Sequence, residues 1–228
     1  MNQPVLTVLA EVFGHHRFRG QQLDVIQHVL GSRHALVIMP TGLGKSLCYQ
    51  LPAVVLARQK NRDPSATGGP GPGLTLVISP LIALMKDQVD ALCNVGINAC
   101  YINSSLTRNE REKRYHAVQQ GEYDLLYVTP ERFRKSEFCD VIGRRKVHLL
   151  AVDEAHRLAI PVLEELRGLT NLDSNGRPLV RLLLTGQSEL EERLADPKLD
   201  GLYQRVRAQA CLQPLTRAES QNYLTSRI

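Results

Sequence analysis

The sequence predicts an α/β fold of three layers, in which helices cover both faces of a mainly parallel central sheet. One observation is a series of short apolar runs, at 34–38, 74–78 and 147–152, each typical of a buried strand. A second is the helix-prone sequence between these runs, because parallel strands are joined by crossover segments that are usually helical. With 228 residues, 43% of them hydrophobic, the chain can form the core of one such domain.

A glycine-rich loop, MPTGLGKS at residues 39–46, separates the first strand from a helix-prone run at 47–51. Strand, glycine loop and helix in this order form the context that a phosphate-binding loop requires. Glycines let backbone N–H groups approach phosphate oxygens, and the helix that begins near Lys45 adds the positive end of its dipole. Met39 stands where the strict pattern has glycine, and the alternative is a plain glycine turn. The loop residues predicted to bind the nucleotide are Thr41, Gly42, Leu43, Gly44, Lys45 and Ser46.

Two side chains of this loop carry specific chemistry. Lys45 has the length and charge to reach the β- and γ-phosphates of a nucleoside triphosphate. Ser46 offers a hydroxyl that is expected to hold Mg²⁺. The predicted cofactors are therefore ATP and Mg²⁺.

An acidic motif, Asp153-Glu154-Ala155-His156, follows the apolar run at 147–152. An acidic residue at the end of a buried strand beside the glycine loop can hold Mg²⁺, and a neighbouring carboxylate can orient or deprotonate the attacking water. We therefore assign Asp153 to the metal and Glu154 to the water, with His156 as a relay to a second site. The alternative is that the two acidic residues only cap a helix.

The segment before the glycine loop predicts a short helix at residues 5–13 and an amphipathic helix that ends at Gly31. Gln22, just before the second helix, can offer its amide to an adenine edge. A surface glutamine is the alternative.

The pattern Phe18-Arg19-x-x-Gln22, followed by MPTGLGKSLCYQLPA, resembles the RecQ family of DNA helicases. The resemblance implies that Arg19 and Gln22 contact the adenine of ATP. It also implies a P-loop, RecA-like domain that hydrolyses ATP and has single-stranded DNA as its partner.

Two further segments resemble the DNA-contact motifs of helicases, SPLIALMKDQV at residues 79–89 and TPER at residues 129–132. Hydroxyls and helix N-terminal N–H groups at such strand ends can bind phosphates without reading sequence. For Lys86 and Gln88 a solvated helix face is the alternative. The predicted nucleic-acid contacts are Ser79, Lys86, Gln88, Thr129 and Arg132.

The amino-acid composition is compatible with ATP and single-stranded DNA as partners but does not identify them. A net charge of +5 and a pI near 9.0 suit a polyanion, but an ordinary basic protein has the same values. The cysteines are scattered without a CxxC pair, which argues against zinc and favours a reducing cytoplasm. We found neither a run of membrane-helix length nor a signal-peptide pattern, so the expected location is cytoplasmic.

The resemblance to RecQ helicases ends near residue 157, since neither tryptophan nor a second motor lobe follows. The helix-prone run at 162–172, the turn at 173–176 and the strand at 179–184 instead resemble AAA ATPases of the general-secretion and transposition-accessory type. This resemblance implies that Gln187, or Thr185, faces the γ-phosphate. It also implies that Arg205 is an arginine finger for a neighbouring subunit, the alternative being a surface arginine.

We interpret residues 1–228 as one P-loop ATPase domain, with a RecQ-like half at 1–157 and an AAA-like closing half at 158–228. The strand at 179–184 is predicted to lie between the glycine-loop strand and the acidic strand. Residues 208–212 are predicted to pair on the other side of the glycine-loop strand. The Gly- and Pro-rich stretch at 61–73 predicts a flexible inserted loop, and 216–228 a C-terminal helix.

Three function classes remain open at this stage. The favoured one is a DNA-dependent ATPase of RecQ helicase type, slow in hydrolysis and not competent to unwind alone, because the second lobe normally supplies the arginine finger. The second is an AAA-type ATPase that acts as a homo-oligomer on protein partners. The third is a nucleotide-binding remnant without motor activity.

Overall fold

The computed structural model describes residues 3–40, 42–62, 73–169, 173–174, 177–206 and 208–211. Within these ranges the largest feature is a parallel sheet of seven strands. Its strands, with those of a separate small hairpin, are β1 (Ala35–Ile38), β2 (Leu74–Ile78), β3 (Ala99–Ile102), β4 (Leu125–Val128), β5 (Val147–Val152), β6 (Asp173–Ser174), β7 (Arg177–Pro178), β8 (Arg181–Gly186) and β9 (Ala208–Cys211).

Helices alternate with the strands along the described chain. They are α1 (Gln3–Glu11), α2 (Gln22–Leu30), α3 (Leu47–Arg62), α4 (Ile82–Asn94), α5 (Arg108–Gln120), α6 (Ser136–Gly143), α7 (Ile160–Leu169), α8 (Glu189–Leu194) and α9 (Asp200–Tyr203). Short 3₁₀ turns occupy Pro130–Arg134, Ala155–Arg157 and Pro197–Leu199.

The sheet separates two hydrophobic cores. Successive strand residues point to opposite faces, so Val37 packs with α1 to α4 on one side, whereas Leu36 packs with α5 to α9 on the other. The strands are buried on both faces, which explains why their sequences are continuous apolar runs. This arrangement confirms the predicted three-layer α/β fold.

The order of strands is β3-β4-β2-β5-β8-β1-β9. β8 therefore lies between β1 and β5, with Leu184 beside both Leu36 and Val152. β9 pairs with the other side of β1, where Ala208 lies opposite Ala35. Both predicted placements are confirmed, although β8 continues to Gly186, beyond the predicted end at residue 184.

Several predicted boundaries are wrong by a few residues. α3 continues to Arg62 and so includes the first two residues of the predicted loop at 61–73, of which 63–72 lie outside the described residues. α7 begins at Ile160 instead of residue 162, and residues 170–172 of the predicted helix-prone run lie outside the described residues. The first two residues of the predicted turn at 173–176 form β6, which pairs antiparallel with β7, and residues 175–176 lie outside the described residues. The predicted helix at 216–228 also lies outside the described residues. Among the described helices, none has the length and apolar content needed to cross a membrane.

Candidate functional site

The carboxyl ends of β1, β5 and β8 meet at one edge of the sheet, because these three strands are parallel neighbours. The glycine loop follows β1, the acidic motif follows β5, and Thr185 is the second-last residue of β8. The carboxyl edge of a parallel sheet is the usual place for a ligand site. Segments that are far apart in sequence thus converge here.

The first convergence is an ion pair between Lys45 and Glu154. The Nζ of Lys45 lies 2.9 Å from Oε1 of Glu154, and both side chains are almost fully buried. Lys45 also donates to the carbonyl oxygen of Met39, at 3.3 Å. The other carboxylate oxygen of Glu154 lies 3.4 Å from Nε2 of His156 and 3.7 Å from Nε of Arg157. The predicted phosphate-binding lysine and water-orienting carboxylate are therefore in direct contact.

The backbone at Glu154 helps to produce this geometry. Glu154 has a φ of +52°, in the left-handed region that a residue with a side chain rarely adopts. The left-handed turn directly follows Asp153 at the end of β5, so the two adjacent carboxylates make different contacts. Asp153 contacts hydroxyl groups, whereas Glu154 contacts the basic groups.

Asp153 is held by two hydroxyl groups. The Oγ1 of Thr185 donates to Oδ1 of Asp153 at 2.9 Å, and the hydroxyl of Tyr49 lies 3.3 Å from Oδ2. Burial raises the pKa of Asp153 and the Thr185 hydrogen bond opposes that effect. Burial raises the pKa of Tyr49 and the nearby side chain of Ser46 opposes that shift, so both predicted metal ligands, Ser46 and Asp153, lie near one phenol.

These donors fit Mg²⁺, which prefers oxygen ligands and is commonly bound through one or two carboxylates together with substrate phosphates and water. Ser46 offers a hydroxyl and Asp153 a carboxylate, and the hydroxyls of Thr185 and Tyr49 lie within hydrogen-bond distance of the two carboxylate oxygens of Asp153. Within the described ranges, no group of three or more His, Cys, Asp or Glu side chains could hold a metal by itself. A metal at this site would therefore depend on the nucleotide for further ligands.

Gln22 forms hydrogen bonds with the backbone of the glycine loop. Its Nε2 donates to the carbonyl oxygens of Leu43 and Gly44, at 3.1 and 3.3 Å, and its Oε1 accepts from the backbone N–H of Arg19 at 2.9 Å. Gly42 and Gly44 have φ values of +85° and +83°, a conformation that only glycine adopts without strain. The structure thus gives Gln22 a contact with the loop backbone, and the predicted adenine contacts of Gln22 and Arg19 stay predictions. Thr41 lies outside the described residues.

His156 connects the acidic motif to the end of β8. Its Nδ1 accepts from the backbone N–H of Gln187 at 3.3 Å, so in the neutral ring Nε2 carries the proton and faces Glu154. Burial lowers the pKa of His156, while the charge of Glu154 opposes that shift. The predicted roles of His156 as a relay and of Gln187 beside the γ-phosphate stay predictions.

Two of the predicted DNA contacts lie side by side. β2 and β4 are neighbours, with Ile78 opposite Val128, so Ser79 and Thr129 follow at the same edge, both buried. Lys86 is exposed on α4, Gln88 is partly buried there and contacts Tyr49, and Arg132 is partly buried in the 3₁₀ turn after β4. The structure brings together the elements that carry these side chains, and their contact with DNA stays a prediction.

Arg205 does not join the site of its own chain. It is exposed and precedes β9, so it lies at the amino edge of the sheet, opposite Lys45. There its charge adds to the effect of burial in lowering the pKa of His34, which precedes β1. A role as an arginine finger would therefore require a neighbouring subunit.

Sequence reasoning missed Tyr49 and Arg157. Tyr49 lies in the SLCYQ segment, one turn of helix after Ser46, and residues three apart in a helix share a face. That spacing was the available signal that the phenol would lie on the same side of the helix as the hydroxyl of Ser46. No comparable signal identifies Arg157.

A model of the DEAD/DEAH box helicase family matches residues 19–181. ATP-dependent DNA helicase RecQ from Pasteurella multocida is 46% identical over 156 residues, which are 68% of this chain and 22% of that protein. The RecQ helicase of Bacillus subtilis is 44% identical over 151 residues, 66% of this chain and 23% of that protein. The chain thus spans less than a quarter of the length of these curated relatives.

Solved structures with the same fold include the DUF1998 helicase MrfA bound to DNA, with a TM-score of 0.63 and 16% identity, covering 93% of this chain and 29% of that one. The Hef helicase domain of Pyrococcus furiosus has a TM-score of 0.62 and 15% identity, covering 90% and 39%. At this identity the likeness shows the fold alone. The family match continues to residue 181, beyond the predicted junction near 157, and none of these comparisons supports the expected AAA-type continuation.

Proposed function

The chain belongs to the DEAD/DEAH box helicase family, and from this premise we propose that it is the ATP-binding motor domain of a RecQ-type DNA helicase. The observation that carries the proposal is the 2.9 Å contact between Lys45 and Glu154 beside the buried carboxylate of Asp153. It supports the proposal because ATP hydrolysis needs a lysine to hold phosphates, a carboxylate to orient water and a carboxylate to hold Mg²⁺ close together. The RecQ relatives supply the substrate class.

Each residue of the site has a defined task in this proposal. Lys45 and the backbone N–H groups of the glycine loop bind the phosphates of ATP. Glu154 orients water for in-line attack. His156 accepts a hydrogen bond from the backbone N–H of Gln187, which follows β8, and the Nε2 of His156 contacts Glu154 and fixes its position. Mg²⁺, held by Ser46 and Asp153, would supply charge neutralisation on the phosphate oxygens.

The DNA part of the proposal depends on Ser79, Thr129 and the exposed Lys86. The first two lie at the same sheet edge as the nucleotide site, so nucleotide and DNA backbone would contact adjoining strand ends. We expect binding to single-stranded DNA to weaken steeply with salt, because neutralised phosphates release counterions. Unwinding would require a second motor lobe.

The test is the rate of Mg²⁺-dependent ATP hydrolysis by the purified chain, with and without single-stranded DNA, at two salt concentrations. A slow basal rate that DNA stimulates, and that salt reduces, supports the proposal. A rate that does not respond to DNA at either salt concentration contradicts the RecQ-type assignment.

The exposed position of Arg205 motivates a second proposal, that the chain acts as a homo-oligomer of AAA type on protein partners. An arginine at the amino edge of one copy is free to face the nucleotide of another. In that case the ATPase rate per chain would rise with protein concentration, and Arg205→Ala would remove the rise. A rate per chain that is constant over a hundredfold concentration range contradicts this alternative.

We also propose a cytoplasmic location. Its support is the set of four free cysteines in the described part of the chain, Cys48, Cys93, Cys100 and Cys139. Unpaired, widely spaced thiols are typical of a reducing compartment.

A further inference from the structure

The hydroxyl group of Tyr49 lies between the proposed nucleotide site and the helix α4, which carries predicted DNA contacts. The side chain is fully buried on α3, and its oxygen lies 3.3 Å from Oδ2 of Asp153 and 3.0 Å from Oε1 of Gln88 on α4. A phenol carries a single proton, so at any moment it donates to only one of these two acceptors. Because Tyr49 is buried, the choice between the two acceptors has structural consequences.

The two acceptors differ in charge, and this difference sets the preference of the proton. An ionised carboxylate forms roughly twice as strong a hydrogen bond as a neutral amide oxygen, which favours Asp153. A cation held by Asp153 would reduce this advantage, because it would withdraw electron density from the carboxylate oxygens. The proton of Tyr49 would then favour Gln88, and the state of the nucleotide site would reach α4 through this hydrogen bond.

Gln88 connects Tyr49 to a helix that carries another predicted DNA contact. It lies on the helix that begins just after Ser79, and this helix also carries the exposed Lys86. The hydrogen bond between Tyr49 and Gln88 connects α4, the helix that also carries Lys86, to the start of α3. On these grounds we infer that Tyr49 is a positioning residue that couples the nucleotide site to the DNA-binding helix α4.

A second contact from the same helical turn points to the same elements. The Nε2 of Gln50 donates to the hydroxyl of Tyr127 on β4 at 3.0 Å, and β4 ends just before Thr129. The rings of Tyr49 and Tyr127 meet edge to face, with centroids 6.4 Å apart. The start of α3 therefore contacts both elements that carry predicted DNA contacts. The inference rests on the proposed function, since it assigns how that site communicates with DNA.

The test compares the affinity for DNA in two states of the nucleotide site. The Kd for a fluorescein-labelled oligo(dT) is measured by anisotropy, without nucleotide and with a saturating non-hydrolysable ATP analogue and Mg²⁺. In the unmodified chain we expect the two Kd values to differ by at least about fivefold, the lower end of typical couplings between sites. In Tyr49→Phe, which removes only the hydroxyl, we expect the ratio to fall to below about twofold when the analogue is again present at a saturating concentration.

Two further variants make the result specific. Gln88→Leu removes the other partner from a partly exposed position and should lower the ratio in the same way, even if Tyr49→Phe fails to fold. Tyr115→Phe is the matched control, because Tyr115 is a buried tyrosine on α5, across the sheet, and should keep the parent ratio.

The outcomes separate this inference from the proposed function. A parent ratio retained in Tyr49→Phe, or in Gln88→Leu when Tyr49→Phe does not fold, overturns the coupling role. A chain that binds both ligands with a ratio near one also overturns it and leaves the proposed function intact. A chain that binds neither the analogue nor DNA rejects the proposed function and this inference with it.

Discussion

The Nζ of Lys45 and Oε1 of Glu154 are 2.9 Å apart in a nearly solvent-free site, joining the loop after β1 to the turn after β5. The pair is not isolated, since His156 and Arg157 approach the second oxygen of Glu154. Phosphate groups that bind Lys45 would compete with Glu154 for the same ammonium group. Binding of ATP would thus release Glu154 to orient water.

Substitutions of these two residues should have different effects. We expect Lys45→Ala to abolish ATP binding, because the phosphates lose their cation. Glu154→Gln should retain binding but reduce turnover by about 10²–10⁴-fold, the usual contribution of a positioned general base. Isothermal titration with ATP and steady-state hydrolysis measure the two effects.

Lys113→Ala is the control for this pair, because Lys113 is exposed on α5 and far from the carboxyl edge of β1. It should match the parent in both measurements. Parent-like hydrolysis by both Lys45→Ala and Glu154→Gln would show that the site has been assigned to the wrong residues.

The hydrogen bond from Thr185 to Asp153 predicts a loss of stability in Thr185→Val. This variant keeps the shape of the side chain but leaves a buried carboxylate oxygen without its donor, which typically costs about 1–3 kcal/mol. Urea unfolding measures the change, and Thr185→Ser, which retains the hydroxyl, should recover most of the stability. Equal stability of the valine and serine variants would mean that this hydrogen bond contributes little.

The two loop glycines should differ in their tolerance of alanine. A Cβ on Gly44 would lie 2.7 Å from Nε2 of Gln22, whereas a Cβ on Gly42 would meet nothing within 4 Å. Both positions have positive φ, so each substitution carries about 1–2 kcal/mol of backbone strain, and only Gly44→Ala adds a clash. ATP affinity should therefore fall further in Gly44→Ala.

Removal of the clashing amide tests this explanation. Gln22→Ala combined with Gly44→Ala should lose less ATP affinity than the sum of the two single losses, measured as free energies of binding. Additive losses would show that the side chain of Gln22 does not limit the loop at Gly44.

The cysteines should divide into two classes of reactivity. Burial raises the pKa of Cys48 and of Cys100 to about 12, whereas Cys93 and Cys139 are exposed. At pH 8 the buried thiols are almost entirely protonated, and the thiolate is the reactive form. Iodoacetamide followed by peptide mass spectrometry should show rapid labelling of Cys93 and Cys139 and slow labelling of Cys48 and Cys100. Unfolding in urea should make all four equally reactive.

Much of the fold and of the nucleotide site was predictable because its signals are local. The apolar runs that became β1, β2 and β5 were recognisable by composition, and even the insertion of β8 between β1 and β5 is confirmed. Element ends were less predictable. α3 extends to Arg62, into the predicted loop at 61–73. The Gly and Pro residues of that loop do not determine at which residue the helix ends.

The sequence by itself determined that a glycine loop with Lys45 and an acidic pair at Asp153 and Glu154 belong to one α/β fold. Each of these depends on a pattern within a few neighbouring residues. Only the tertiary structure decided that Gln22 supports the loop backbone and that Tyr49 stands between Asp153 and Gln88. The physical reason is that a hydrogen bond depends on distances of tenths of an ångström between segments far apart in the chain, which only the packed sheet and helices fix.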